Sequence, residues 1–262
     1  MALCRKQDFV ARVEHNPYTS YMPETFLSNP DNDIKFDVFY INLERRKDRN
    51  QVMAKTFREI GISGNRVNAI DSEFTKEEDK IFLSASEAAC WLSHRKAIEK
   101  FLEESSRMVC LILEDDVEFD SSVNWRNFLN AASNYMVVKQ FDLLQIGHLS
   151  PRYRFRLSPS RLFEYYLHFR YRYRSIPSPL GTIRMNEFRV GSHAYMLSKE
   201  GAKKILTANV PPVYPTDGFF SFLADVQDGR DKFRVGRLHK SLINQYTRDK
   251  KLRPLDSDLS MR

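Results

Sequence analysis

Cysteine is scarce: Cys4, Cys90 and Cys110 are the whole complement of a 262-residue chain. An odd number of thiols at wide spacing makes neither a disulfide framework nor a zinc-finger pattern. A reducing, cytoplasmic setting is therefore expected. No apolar run approaches the ~20 residues that span a bilayer. The opening Met1-Ala2-Leu3-Cys4-Arg5-Lys6-Gln7-Asp8 has no apolar h-region, so neither a transmembrane segment nor a signal peptide is expected. Internal repeats are absent as well. Mean hydropathy of −0.50 and 29% charged residues mark a soluble protein, and 19 Phe with 12 Tyr supply a sizeable core.

The net charge of +7 is unevenly placed. From Arg152 to Arg189 the chain carries nine arginines, no lysine and two acids, an excess equal to that of the whole protein. This segment is also rich in Tyr and Phe. The remainder is near neutral, which argues against a protein that coats nucleic acid.

Apolar and helical spacings alternate along the chain. Residues 1–36 hold Pro17, Pro23 and Pro30 and read as an irregular N-terminal extension. Asp37–Leu43 reads as a strand, Arg46–Ile60 as a helix ended by Gly61, and Arg66–Ile70 as a second strand, together a βαβ unit. Ser84–Glu104 is the longest helical pattern, with Ser84 or Ser86 as its cap. Met108–Leu113 is a continuous apolar run, as expected of a buried parallel strand. A helix from Trp125 to Met136, strands at Phe141–Ile146 and Ser192–Leu197, and helices from Ser198 and from Thr216 follow. Two short apolar runs lie between Lys232 and Gln245. This order predicts one α/β domain with a mostly parallel sheet.

The apolar run ends in Glu114-Asp115-Asp116. Adjacent carboxylates repel one another unless a cation or hydrogen-bond donors compensate. Ligands of open α/β sheets bind beyond the carboxyl ends of strands, and hard oxygens suit Mg²⁺ or Mn²⁺. A solvated acidic turn is the alternative. Four more clusters stand out. Arg46 and Arg49 on a first helical turn could hold phosphate or a base edge, or simply be solvated. Glu87, Cys90 and His94, with Ser93, share a helix face and suggest a site or an internal hydrogen-bond network. His193 lies on a strand. Asp217, after Pro215-Thr216, is either a helix-start residue or a catalytic base.

Taken together these segments resemble glycosyltransferase family 25. Val38–Leu43 with Arg46, Asp48 and Arg49 resembles the family's opening INLxxRxDR, and Val67–Asp71 its xAxDG step. Ser86–His94 resembles GEIGCxLSH, Leu113–Val117 resembles xEDDV, and His193–Lys204 is similar to HAYxLSxxGAxxL. Pro215-Thr216-Asp217 matches PxD. Leu242–Gln245 with Ser257-Asp258-Leu259 resembles PLVxQ…SDI. Gly218 stands where many members carry Glu, Ser72 where Gly is usual, and Ala88-Ala89 where Ile-Gly is usual.

The resemblance implies a GT-A-like, Rossmann-type domain over residues 37–262, with helices on both faces of a mostly parallel sheet and residues 152–189 as an insertion. It also implies an inverting transfer of a hexose, galactose first, from a UDP-sugar to a glycan, lipid-linked oligosaccharide or hydroxylysine-type protein acceptor. Asp115 and Asp116 would hold Mn²⁺ or Mg²⁺, with His239 as a third ligand. Asp217 would be the base. Asn42, Arg46 and Asp71 would line the nucleotide pocket, Glu114 would orient the ribose or a ligating aspartate, and Glu87, Ser93 and His94 would support the sugar or metal. His193 is expected near the acceptor; Arg170, Arg172 and Arg174, in a segment that matches no family motif, read from their charge as facing an anionic acceptor or membrane surface, with a solvated insertion as the alternative. Two rivals remain: a catalytically inactive scaffold of the same fold, and a nucleic-acid-binding module using the Arg/Tyr segment.

Overall fold

The computed structural model describes residues 35–149, 175–208, 212–225 and 232–245. Its elements are β1 (Phe36–Asn42), α1 (Lys47–Glu59), β2 (Asn65–Asn68), two 3₁₀ turns, α2 (Ala85–Glu104), β3 (Val109–Glu114), β4 (Val117–Phe119), α3 (Trp125–Lys139), β5 (Leu143–Gly147), β6 (Ser175–Ser178), β7 (Gly181–Met185), β8 (Ala194–Ser198), α4 (Lys199–Leu206), α5 (Thr216–Asp225), β9 (Val235–Leu238) and β10 (Ile243–Gln245).

Eight strands form one sheet in the order β2-β1-β3-β8-β5-β9-β7-β6, and β4 pairs with β10 in a second. Following the pairings along the large sheet, β2, β1, β3, β5, β9 and β6 run one way and β8 and β7 run the other. The expected parallel character therefore holds for strand direction, but reversed β8 sits at the centre. Because β8 is antiparallel, the start of β8 lies beside the end of β3, and the Glu114 N–H donates to the His193 carbonyl at 3.0 Å.

Side-chain alternation divides the core into two layers. In β3, Val109, Leu111 and Leu113 pack with Met53 and Phe57 of α1 and Trp125, Phe128 and Leu129 of α3. Cys110 and Ile112 face the other side, with Trp91, Ile98 and Phe101 of α2, Ile205 of α4, and Phe219 and Phe220 of α5. Both faces of the sheet are thus covered, which is why β3 reads as an unbroken apolar run.

Part of the Arg152–Arg189 segment is a structural piece of the sheet. Residues 175–185 make the β6–β7 hairpin, and β7 pairs antiparallel with β9. Arg184 and Arg189 lie in and beside this hairpin, whereas Arg170, Arg172 and Arg174 fall outside the described residues. The N-terminal extension also falls outside them, except for Lys35, whose N–H donates to Asn130, and Phe36, which already belongs to β1.

Helix α2 carries one wall of the site, and its start is fixed by a capping box. The Ser84 hydroxyl accepts the Glu87 N–H at 3.3 Å, and the Glu87 carboxylate accepts the Ser84 N–H at 2.9 Å. Ser84→Ala should lower the unfolding free energy by about 1 kcal/mol, the usual cost of a lost cap, as read by urea denaturation. No change would mean that α2 is held by its packing alone.

Candidate active site

The edge of the sheet where β1, β2 and β3 end holds an open cleft. Its floor is the acidic end of β3. Its walls include Arg45, Arg49 and Asp71 on one side and Cys90, Ser93 and His94 of α2 on the other.

Asp115 and Asp116 are 7% and 4% exposed, so their charges cannot be left to solvent. Arg49, in the first turn of α1, donates to Asp115 Oδ1 at 2.8 Å and lies 3.9 Å from Asp116 Oδ2. Asn42 at the end of β1 donates to Asp115 Oδ2 at 2.7 Å and to the Arg46 carbonyl at 3.0 Å, and accepts from Arg66 Nε at 2.8 Å. Gln245, brought in by the β4–β10 pairing, donates to both oxygens of Asp116 at 3.2 Å. Glu114 accepts from the Ser192 hydroxyl at 3.0 Å and from Gln245 at 3.4 Å.

Titration follows from this placement. Burial pushes Asp116 up to about 7, and Glu114 adds to the rise, against the pull of Arg49. Burial also raises Asp115, although Arg49 and Asn42 oppose it. For Glu114 burial acts upward too, but the His94 and His193 rings and the Ser192 hydroxyl outweigh it and hold the carboxyl below its usual range. Among the described residues the cluster thus combines three carboxylates with one close guanidinium, and Asp116, pushed up to about 7, retains a proton near neutral pH. A divalent cation on Asp115 and Asp116 would supply the missing charge, so this oxygen set fits Mg²⁺ or Mn²⁺.

The expected site residues do not all converge. Asp71 lines the cleft and pairs with Arg45 at 2.8 Å. Ser93 lines it too, but its hydroxyl is used structurally, accepting the Ile70 N–H at 2.9 Å and donating to the Ala89 carbonyl at 2.7 Å. His94 is buried, with Nδ1 3.1 Å from the Tyr195 hydroxyl and Nε2 3.4 Å from Glu114. Asn42 is committed to Asp115 and the β1–α1 turn, so it holds the acid cluster in place. Arg46 lies outside the cleft lining and forks onto Asp48 at 2.9 and 3.1 Å. Glu87 is exposed and is used by the capping box.

His193 is fully buried, not presented to an acceptor. Its Nε2 lies 3.0 Å from the Ile243 carbonyl, and burial lowers its pKa. A Cβ at Gly147 would come within 2.6 Å of the same ring, so the sheet closes around it. His239 lies apart from the acid cluster: it is exposed just past β9, outside the cleft lining, and burial together with Arg184, Arg237 and Arg189 lowers its pKa. Positive neighbours of that kind oppose a metal-ligand role.

Asp217 sits in the first turn of α5. It accepts the Gly218 N–H at 2.9 Å and the Gly191 N–H at 3.4 Å. Gly191 has φ of +108°, a conformation that glycine adopts freely. The neighbouring Thr216 Oγ1 touches Cys90 Sγ at 3.6 Å, which joins this element to the α2 wall.

Residues outside the expected site set complete it. Arg49 was visible in the sequence as a first-turn arginine, but nothing in its spacing showed that it turns inward to Asp115. Gln245 reaches Asp116 only through the β4–β10 pair, a contact across 129 positions.

A profile described as Glycosyltransferase family 25 (LPS biosynthesis protein) matches residues 36–220. A glycosyltransferase 25 family member of Drosophila melanogaster is 26% identical over 209 residues, covering 72% of this chain and 30% of the relative. Human procollagen galactosyltransferase 2 is 24% identical over 230 residues, covering 79% of this chain and 32% of the relative. A bovine protein named probable inactive glycosyltransferase 25 family member 3 is 24% identical over 209 residues, covering 72% and 32%. The matches thus span about a third of these relatives' length. The chain belongs to glycosyltransferase family 25.

The raised pKa of Asp116 has a stability consequence. Its folded value of about 7 lies above the ordinary 3.8, so the folded state holds a proton that the unfolded state releases. In metal-free protein this group's effect is neutral below pH ~4, and stability falls as pH rises to ~7. Three pKa units correspond to at most about 4 kcal/mol. Asp116→Asn should remove that loss, gaining about 2–4 kcal/mol over wild type at pH 8 in EDTA while matching it near pH 4. Urea denaturation across pH measures it; parallel profiles would show that Asp116 is already compensated.

Proposed function

We propose that this family 25 chain catalyses inverting transfer of a hexose, galactose in the first instance, from a UDP-sugar to a hydroxyl of a glycan, glycolipid or protein acceptor. The observation that carries the reading is the buried acid cluster at the end of β3, opening into a cleft lined by Arg45, Asp71 and α2. Its rival, the inactive scaffold, draws on Gly218 and on the bovine relative's name.

Asp115 and Asp116 are assigned to a bound Mg²⁺ or Mn²⁺, which would supply positive charge to the diphosphate as the sugar–oxygen bond breaks. Arg49 fixes Asp115 and shares the charge. Arg45 and Asp71 border the path of the nucleotide, and Phe74, 78% exposed beside them, is the ring we assign to the base. Glu114 and Gln245 hold the ligating aspartates in orientation.

Inversion requires a single displacement at the anomeric carbon, with a base on the side opposite the leaving group. Asp217 is assigned that role. Two backbone N–H groups fix its carboxylate, and it comes from an element separate from the acid cluster. It would accept the proton of the acceptor hydroxyl as the new glycosidic bond forms and UDP leaves. The basic stretch holding Arg170, Arg172 and Arg174 is assigned to an anionic acceptor or the membrane surface that carries it. Among the described residues no helix is long and apolar enough to cross a membrane.

A panel of nucleotide sugars, assayed for hydrolysis and transfer with and without metal, tests the reading. One UDP-hexose should be turned over, and EDTA should abolish turnover. Asp217→Asn should lower turnover by ~10²-fold or more with donor affinity unchanged. Loss of donor affinity along with turnover would move Asp217 to the donor side, and no turnover of any sugar would favour the inactive scaffold.

Replacing Arg170, Arg172 and Arg174 together with Ser should raise the acceptor KM and leave donor hydrolysis near wild type. Unchanged acceptor kinetics and liposome binding at low salt, where such contacts are strongest, would remove the segment from the site.

A further inference from the structure

The wall of the cleft on α2 holds a donor set of a different character from the acid cluster. Cys90 and His94 are four residues apart on one helix face, and Glu114 reaches them from the end of β3. One ligand atom from each, a thiol sulfur, a ring nitrogen and a carboxylate oxygen, lies within 4.8 Å of the others. An independent observation points to a ligand. His94 is 1% exposed, yet its Nε2 makes no hydrogen bond among the described residues. That nitrogen faces Glu114 Oε1 at 3.4 Å.

The ring is held in the manner of a metal-binding histidine. Its other nitrogen, Nδ1, meets the Tyr195 hydroxyl at 3.1 Å, and the two rings stack at 5.7 Å. A partner on the far nitrogen fixes ring orientation and leaves Nε2 for an ion. Cys90 is half-buried and lines the cleft, so an ion has a route in.

We propose that Cys90, His94 and Glu114 form a second metal site, selective for a borderline-soft ion of the Zn²⁺ class and sharing Glu114 with the acid cluster. Sulfur and imidazole favour Zn²⁺, whereas Asp115 and Asp116 offer only hard oxygens. On binding, the Cys90 S–H bond and the His94 Nε2–H bond that faces Glu114 break, both protons leave to buffer, and sulfur–metal and nitrogen–metal bonds form. The ion draws Glu114 away from Ser192 and Gln245, the latter also a donor to Asp116. Zn²⁺ therefore antagonises whatever the acid cluster does. This site goes beyond glycosyl transfer and stands without it.

The test is spectroscopic, on the full chain with Co²⁺ and Zn²⁺ as probes. Co²⁺ should give a near-ultraviolet thiolate charge-transfer band that Zn²⁺ bleaches and excess Mg²⁺ does not. Cys90→Ser should abolish the band and weaken Zn²⁺ binding by at least about 100-fold, since losing even an outer-sphere partner costs 10–100-fold. Cys4→Ser should keep the band. X-ray absorption of Zn²⁺-loaded wild-type protein, which needs no variant, should show a sulfur neighbour at about 2.3 Å. Absence of the cobalt band, its survival in Cys90→Ser, or a zinc shell of nitrogen and oxygen alone would overturn the proposal. None of these readouts depends on turnover, so failure of the site and failure of the transferase reading are separable.

Discussion

Three carboxylates leave the end of β3, and Arg49 is the guanidinium that meets them at close range, 2.8 Å from Asp115 and 3.9 Å from Asp116. Much of the architecture at this edge can be read as a response to that charge. Asn42 spends its amide on Asp115 and on the turn that launches α1, so the helix delivering Arg49 is tied to the cluster that Arg49 serves. Gln245 arrives from the far end of the described chain to donate to Asp116. Even so, burial and Glu114 push Asp116 up to about 7. A fold selected for stability alone would place apolar groups here, since buried charges gain little even when paired. The remaining imbalance is what motivates the proposed cation on Asp115 and Asp116.

The reversed strand β8 decides which residues meet that cluster. An antiparallel neighbour presents its beginning where β3 ends, so Ser192 donates to Glu114 and the buried His193 ring lies close by. Gly191, one step further back, donates to Asp217. A parallel β8 would place these residues at the opposite edge. Helix α2 completes the wall: its capping box fixes its start, and the Trp91–Phe219 ring contact at 5.0 Å holds it against α5.

What could be read from the sequence was what depends on local pattern. The unbroken apolar run of β3, the long α2 with its cap narrowed to Ser84 or Ser86, and the acids at a strand end all follow from burial and capping rules that act over a few residues. Pairing partners do not. Whether β8 runs with or against β3 leaves no trace in Ala194–Ser198, which is apolar in either case. The β6–β7 hairpin, with Arg184 in it, lay inside a segment whose charge suggested an insertion, because arginine on a half-exposed strand looks like arginine in a loop. Glu87 and His94 share a helix and a polar character, yet one caps the helix in solvent and the other is buried against Tyr195. The difference lies in tertiary surroundings that helical spacing does not encode.

Nucleotide binding in this cleft is proposed to run through a divalent cation on Asp115 and Asp116. Calorimetric titration of UDP into the metal-free protein, and again with Mn²⁺ present, measures it most directly. The account predicts that Mn²⁺ raises UDP affinity by at least about tenfold, an allosteric-scale coupling of ~1.4 kcal/mol, and that Asp116→Asn removes the enhancement. UDP binding of equal strength with and without the metal would contradict it.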